Sequence, residues 1–294
     1  MNKKLFGTGV ALVTPFTAAG EIDWKALEKI IDFDIANSVN YFVILGTTGE
    51  TATLTHEEKI AVWKFAKEKV AGRVPLVAGI GGNNTAELVH LFSTLDLSGY
   101  DAILSVSPYY NKPTQEGIFQ HYMKLAEASP LPIIIYNVPS RTSSNISAET
   151  ILRLANASEK FIAVKEASGN FAQVMQIIKS APENFSVISG DDNITVPLMS
   201  IGAIGVISVA ANSFPKVFCE MVSNFLSGDI VGAATNHYKL FSATELLFAE
   251  SSPAGVKAAL NIKGLCEPDV RLPLVKATEN LFEKMKKEIA DNNI

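Results

Sequence analysis

Residues 132–166, PIIIYNVPSRTSSNISAETILRLANASEKFIAVKE, place two apolar runs on either side of a segment with helical spacing. PIIIYNV and FIAVKEA are rich in β-branched residues and apolar on both faces of an extended chain. Runs of that kind are covered on both sides, as strands of a parallel sheet are. Ser147 stands where a helix N-cap belongs, so the unit reads strand–helix–strand. The same rhythm extends outward in both directions. GVALVTPF (9–16), YFVILG (41–46), PLVAGI (75–80), AILSVSP (102–108), FSVISG (185–190) and AIGVISV (203–209) bring the strands to eight. Asp23 precedes Trp24, Leu27, Ile30 and Ile31 on one helical face. Thr55 and Glu58 form a capping box ahead of Ile60, Trp63 and Phe65, and Thr114 and Asp192 mark further helix starts. Eight such repeats predict an α/β fold, a (β/α)8 TIM barrel rather than an open doubly wound sheet. The barrel is expected over residues 1–212. Residues 213–294 show only helical patterns, broken at Gly228, Pro253, Gly264 and Pro273, and read as a C-terminal helical extension packed on the barrel.

Composition narrows the function. Apolar residues make up 48% of the 294 and charged residues 19%, enough apolar surface for a large core. The formal net charge of −5 argues against a nucleic-acid partner, which calls for a basic face. Cys219 and Cys266 are far apart and fit no metal or redox spacing, so a reduced, cytoplasmic setting is expected. The N-terminal MNKKLFGTGVALVTPF has the lysines of a secretion signal. Gly7, Gly9 and Pro15 interrupt it, however, and its second half reads as the first strand. No run approaches the roughly 20 apolar residues of a membrane span. His56, His90, His121 and His237 are scattered, with no H-E-x-x-H pair, and no zinc site is expected. GIGGNN (79–84) lacks the last glycine of a dinucleotide loop, and no G-x-S-x-G elbow occurs.

In such a barrel the chemistry lies at the C-terminal ends of the strands. Lys165 follows four apolar residues at the end of strand six. Simple alternation puts Phe161, Ala163 and Lys165 on one face, with Ile162, Val164 and Glu166 on the other. The plain alternative is a lysine that reaches the rim or pairs with a carboxylate. A buried amine loses solvation of its charged form, and the neutral amine attacks carbonyl carbon to form a Schiff base. Tyr136 ends strand five, the neighbour, as a candidate proton donor and acceptor or else as an aromatic cover for the core. LGTTGE (45–50) closes strand two with a turn whose N–H groups, together with Thr47 and Thr48, suit a carboxylate. Arg141 in the loop after Pro139 suits a bidentate carboxylate contact. SGDD (189–192) makes another strand-end turn.

Taken in order with Lys165 and Tyr136, GTTGE, YNVPSRT, KEASGN and SGDD resemble the pyruvate-dependent Schiff-base lyases from about Gly7 into the C-terminal helices. The resemblance implies a covalent imine between Lys165 and pyruvate, with no separate cofactor. It implies that Thr48, Gly190 and Ile207 hold the pyruvate, that Thr47, Tyr136 and Tyr110 relay protons, and that Arg141 binds the second substrate. Arg141 and the Tyr109–Tyr110 pair point to L-aspartate 4-semialdehyde, and so to lysine biosynthesis, over a sialic-acid or sugar-acid aldolase. A non-catalytic protein that kept the fold is the third reading. The resemblance also implies a homodimer or homotetramer in which Tyr110 reaches a neighbouring subunit's site. Finally, it implies a lysine effector site at Thr51, Ala52, His56, Lys59, Asn83, Glu87 and Tyr109. Lys59 departs from the histidine of some inhibited members.

Overall fold

A computed structural model describes residues 5–294; Lys3 and Lys4 of the signal-like stretch lie outside them. Eight parallel strands close in sequence order into a barrel. They are β1 (Gly7–Ala11), β2 (Tyr41–Ile44), β3 (Leu76–Gly79), β4 (Ala102–Val106), β5 (Ile133–Asn137), β6 (Phe161–Glu166), β7 (Ser186–Ser189) and β8 (Gly205–Ser208). Each apolar run named above supplies one. The helices between them are α1 (Trp24–Ala36), α2 (His56–Val70), α3 (Thr85–Thr94), α4 (Gln115–Ala128), α5 (Pro139–Thr142), α6 (Ala148–Ala157), α7 (Phe171–Ser180) and α8 (Thr195–Ser200). Four more follow β8: α9 (Pro215–Ser227), α10 (Ile230–Phe248), α11 (Ala254–Ile262) and α12 (Glu279–Asn292). Gly228 and Gly264 take positive φ at breaks between them, where glycine avoids the Cβ penalty. The caps fall where the sequence puts them, with Asp23 accepting from Ala26 N and a complete Thr55–Glu58 box. Thr114 and Ser147 cap α4 and α6. Asp192 instead opens a short 3-10 turn, without a side-chain cap.

The chain forms two compact units, one built on Pro75–Ile207 and the other on Gly7–Val74 with Ser208–Ile294. In the first, register decides what stands beside the lysine. Ile133 pairs with Phe161, but Ile134 pairs with Ala163, so Ile162 is skipped. Beyond that irregularity Tyr136 pairs with Lys165 and Asn137 with Glu166. A one-residue slip in a strand exchanges its faces. Simple alternation therefore misplaces Phe161: its ring meets the Tyr122 ring of α4 edge-on, centroids 6.1 Å apart. Ala163 and Lys165 lie on the opposite face. Tyr122 is fixed in turn by its hydroxyl, which donates to the Ser105 carbonyl at 2.8 Å.

In the second unit, β1 is shorter than the run GVALVTPF. Leu12 N–H still donates to the Val43 carbonyl of β2 at 3.1 Å, but Val13 N–H donates to Asn212 Oδ1 at 3.0 Å, and Asn212 Nδ2 donates to the Ala11 carbonyl at 2.9 Å. Gly9 faces Tyr41, whose ring would meet an added Cβ at 2.2 Å, so no larger residue fits without displacing it.

One group in this unit opposes folding at neutral pH. Asp34 of α1 is buried, and neither carboxylate oxygen has a hydrogen-bond partner among the described residues. Burial pushes its carboxyl well above the usual range. The folded state then holds this proton more tightly than the unfolded state does. The group's contribution to stability is therefore greatest in acid and falls as pH rises from the ordinary carboxylate range through the folded value. Asp34→Asn is expected to raise the unfolding free energy at pH 7, because the buried carboxyl no longer has to ionise there. The gain should shrink on acidification. Denaturant titrations of both proteins across pH check this, and parallel pH profiles would contradict it.

Candidate active site

Lys165 sits on β6 one residue from its C-terminal end, 5% exposed. Its register partner Tyr136 lies on the same face, and the Lys165 Nζ stands 4.3 Å from the centre of that ring. Among the described residues no carboxylate pairs with this amine. That separates it from Lys257, also deeply buried, whose Nζ lies 2.5 Å from Glu50. Lys165 is therefore not held in an ion pair. A buried amine against an aromatic ring, with no counter-charge, is poised for nucleophilic use.

Gly190, just past the end of β7, makes room for it. A Cβ there would meet Lys165 Cε at 3.0 Å, Ala167 Cβ at 2.7 Å and the Glu166 carbonyl at 3.1 Å. Two of those three are backbone or short side-chain atoms that cannot move aside cheaply. Ile207, on β8, is buried.

The opposite face of the same strand ends holds a network that the sequence reading missed. Glu166 is 1% exposed. Asn137 Nδ2 donates to its two carboxylate oxygens at 3.0 and 3.1 Å, Gln173 Nε2 donates to Oε2 at 3.0 Å, and Ser168 N–H donates to Oε1 at 2.8 Å. Asn145 bridges Asn137 and Gln173, and Asn137 Oδ1 accepts from Ile146 N–H at 3.0 Å. Neutral donors thus satisfy a buried carboxylate. They tie the end of β5 to the end of β6, holding Tyr136 and Lys165 in register. The signal in the sequence is that YN and KE place two consecutive polar residues at neighbouring strand ends, one for each face.

The loop residues are held in different ways. Arg141 is exposed on the single turn α5, which Thr142 stiffens by donating to the carbonyls of Val138 and Ser144. Tyr110 is 90% exposed at φ 70, a strained conformation for an aromatic residue. Its neighbour Tyr109 accepts from Asn83 Nδ2 at 3.1 Å through its carbonyl, and Asn111 returns a bond to the Asn83 carbonyl. Asn83 and Tyr109, two of the expected effector positions, are therefore linked. Glu87 is exposed in the first turn of α3.

In the other unit, Thr47 and Thr48 lie on a 3-10 turn, Thr47–Gly49, that follows β2. Thr48 is buried and Thr47 exposed. Thr14 Oγ1 donates to the Gly49 carbonyl at 2.8 Å, and Glu50 N–H donates to the Thr47 carbonyl at 3.1 Å. Thr51 and Ala52 follow on a second such turn, and His56 and Lys59 on the first turn of α2. Among the described residues no group of three or more His, Cys, Asp or Glu is placed to hold a metal. Among the same residues no helix is long and apolar enough to cross a membrane.

Gly190→Ala crowds the Lys165 side chain without removing a reactive group. It is expected to lower kcat/KM for an α-keto acid by at least about tenfold, equivalent to about 1.4 kcal/mol. Steady-state kinetics on the folded variant check this; unchanged kcat/KM would show that the amine does not need this space.

Comparison with known proteins agrees with this arrangement. A model of the dihydrodipicolinate synthetase family matches residues 4–292. The chain is 49% identical to the 4-hydroxy-tetrahydrodipicolinate synthase of Phocaeicola vulgatus over 286 residues, 97% of this chain and 96% of that one. Its fold matches the chloride-inhibited dihydrodipicolinate synthase of Acinetobacter baumannii, complexed with pyruvate, with a TM-score of 0.95. Identity there is 40%, with 99% of each chain covered. The lysine-bound enzyme from Cyanidioschyzon merolae matches at 35% identity and a TM-score of 0.94, again over 99% of each chain. With its barrel and strand-end lysine, and over nearly its whole length, the chain belongs to the dihydrodipicolinate synthetase family.

Proposed function

We propose that this chain condenses pyruvate with L-aspartate 4-semialdehyde to give 4-hydroxy-tetrahydrodipicolinate, an early committed step toward diaminopimelate and lysine. The observation that carries the reading is the buried, carboxylate-free Lys165 amine 4.3 Å from the ring of Tyr136. The Lys165 Nζ attacks the keto carbon of pyruvate, and loss of water leaves an imine. The protonated imine withdraws electrons, a methyl proton departs, and the resulting enamine carbon forms a bond to the aldehyde carbon of the second substrate. That substrate's amino group then displaces Lys165 and closes the ring, freeing the amine for the next turnover.

In this scheme Tyr136, Thr47 and Tyr110 move the protons, as hydroxyls able both to donate and to accept. Thr48, Gly190 and the strand-eight backbone near Ile207 receive the pyruvate, and Arg141 takes the second substrate's carboxylate through its planar fork. No cofactor takes part, since the imine supplies the electron sink. The name of the Phocaeicola relative supports L-aspartate 4-semialdehyde over a sugar-derived aldehyde. The pyruvate complex of the Acinetobacter relative supports the first substrate.

Tyr110 suggests how the chain assembles. A tyrosine 90% exposed and held at positive φ is costly for an isolated chain. It serves best where a second copy of the chain covers it, as a homodimer or homotetramer in the cytoplasm. Lysine is the proposed feedback effector, acting through Thr51, Ala52, His56, Lys59, Asn83, Glu87 and Tyr109; the lysine-bound relative supports this.

Two measurements test the reading. In a coupled assay, turnover is expected with pyruvate and L-aspartate 4-semialdehyde, and Tyr136→Phe should lose about 10²–10⁴-fold of it, the usual share of general acid–base catalysis. Equal turnover with sugar-derived aldehydes would contradict the substrate assignment. Saturating lysine should slow the same assay, and a rate that does not change would remove the effector site.

A further inference from the structure

The C-terminal helices deliver a buried cation to the turn that carries Thr47 and Thr48. Lys257 of α11 is 0% exposed. Its Nζ donates to Glu50 Oε1 at 2.5 Å and to the Asp269 carbonyl at 2.8 Å, and lies 4.2 Å from the centre of the Phe16 ring. Arg271 supplies the second half of the clamp. Its backbone N–H donates to Glu50 Oε2 at 3.0 Å, and its guanidinium lies 4.5 Å from the same Phe16 ring. That guanidinium is itself anchored, by a bidentate pair with Glu58 at 2.6 and 2.7 Å and by the carbonyls of Gly20 and Thr53. Both Glu50 oxygens are therefore engaged from the C-terminal segment.

Glu50 is the residue immediately after the Thr47–Gly49 turn. It takes φ 52 and ψ 35, a left-handed conformation that a residue with a side chain keeps only where its surroundings enforce it. Its N–H closes the turn on the Thr47 carbonyl, and its own carbonyl accepts from Thr53 N and Oγ1. A buried ion pair adds little to stability, because desolvation of two charges offsets most of their attraction and an apolar pair of the same shape often serves as well. What this pair does supply is a fixed backbone at one turn.

We propose that Lys257 is a positioning residue for the keto-acid substrate: through Glu50, its ammonium holds the Thr47–Thr48 turn in the form that receives the substrate carboxylate. The inference rests on the reading of Thr48 as a pyruvate-binding group. It separates binding from chemistry, because a loosened turn weakens capture of pyruvate while leaving the Lys165 amine in place.

The test uses Lys257→Met, Lys257→Arg and the double variant Lys257→Met/Glu50→Gln, which removes both buried charges together. KM for pyruvate is expected to rise at least about tenfold in the Met variant and in the double variant, with kcat and KM for the second substrate far less affected. Lys257→Arg should recover part of the loss. A folded double variant with unchanged pyruvate KM would overturn the proposal. If the variants do not fold, hydrogen exchange on the unaltered chain decides. Saturating pyruvate should then slow exchange in 254–262 together with 46–50, and protection of 46–50 alone would overturn it. Failure of pyruvate and borohydride to label the unaltered chain would instead overturn the Schiff-base reading, and this inference with it.

Discussion

The pairing of Tyr136 with Lys165 is the constraint on which the proposed chemistry depends. It exists because β6 skips Ile162 against β5. Without that skip Tyr136 would pair with Val164, and the lysine would sit on the other face, among the helices. With it, amine and phenol share one face at the C-terminal ends of adjacent strands, and the carboxylate of Glu166 is carried to the opposite face. The irregularity chooses which face the amine takes, and ordinary alternation puts the neighbouring carboxylate on the other. A lysine neutralised by its neighbour would be a structural ion pair, as Lys257 is with Glu50.

Holding that register costs polar burial on both faces. Glu166 is 1% exposed, pairs with no cation among the described residues, and is held by donors from Asn137, Gln173 and the N–H of Ser168. Removing one donor from such a network leaves a buried acceptor unsatisfied, at a cost of about 1–3 kcal/mol. The network therefore resists slippage of β5 against β6 as well as holding each side chain. Glu50 shows the same logic in the other unit, where a single buried carboxylate fixes the turn after β2 through Lys257 and Arg271. In both places a buried acidic residue, at a strand end or just after a turn, does its work on the backbone.

Much of this was legible in the sequence. The eight apolar runs, the capping residues at Asp23, Thr55, Thr114 and Ser147, and the breaks at Gly228, Pro253, Gly264 and Pro273 each rest on local chemistry, and local chemistry is what a sequence displays. Lys165 was legible for the same reason, as a charge where an apolar residue belongs. What escaped were features that depend on a partner distant in the chain. Phe161 follows simple alternation until Ile133 and Tyr122 fix its face. β1 reads as longer than it is because Asn212, some two hundred residues on, takes the N–H of Val13. The clamp on Glu50 joins residues more than two hundred positions apart, and no spacing rule announces it.

The most direct measurement is to incubate the protein with pyruvate, reduce with borohydride, and map the modified peptide by mass spectrometry. A single reduced pyruvyl adduct, on Lys165 and not on Lys257 or a surface lysine, is the result this account predicts. A folded protein that takes up no pyruvate at Lys165 would mean that the amine is structural, and the proposed condensation would fall with it.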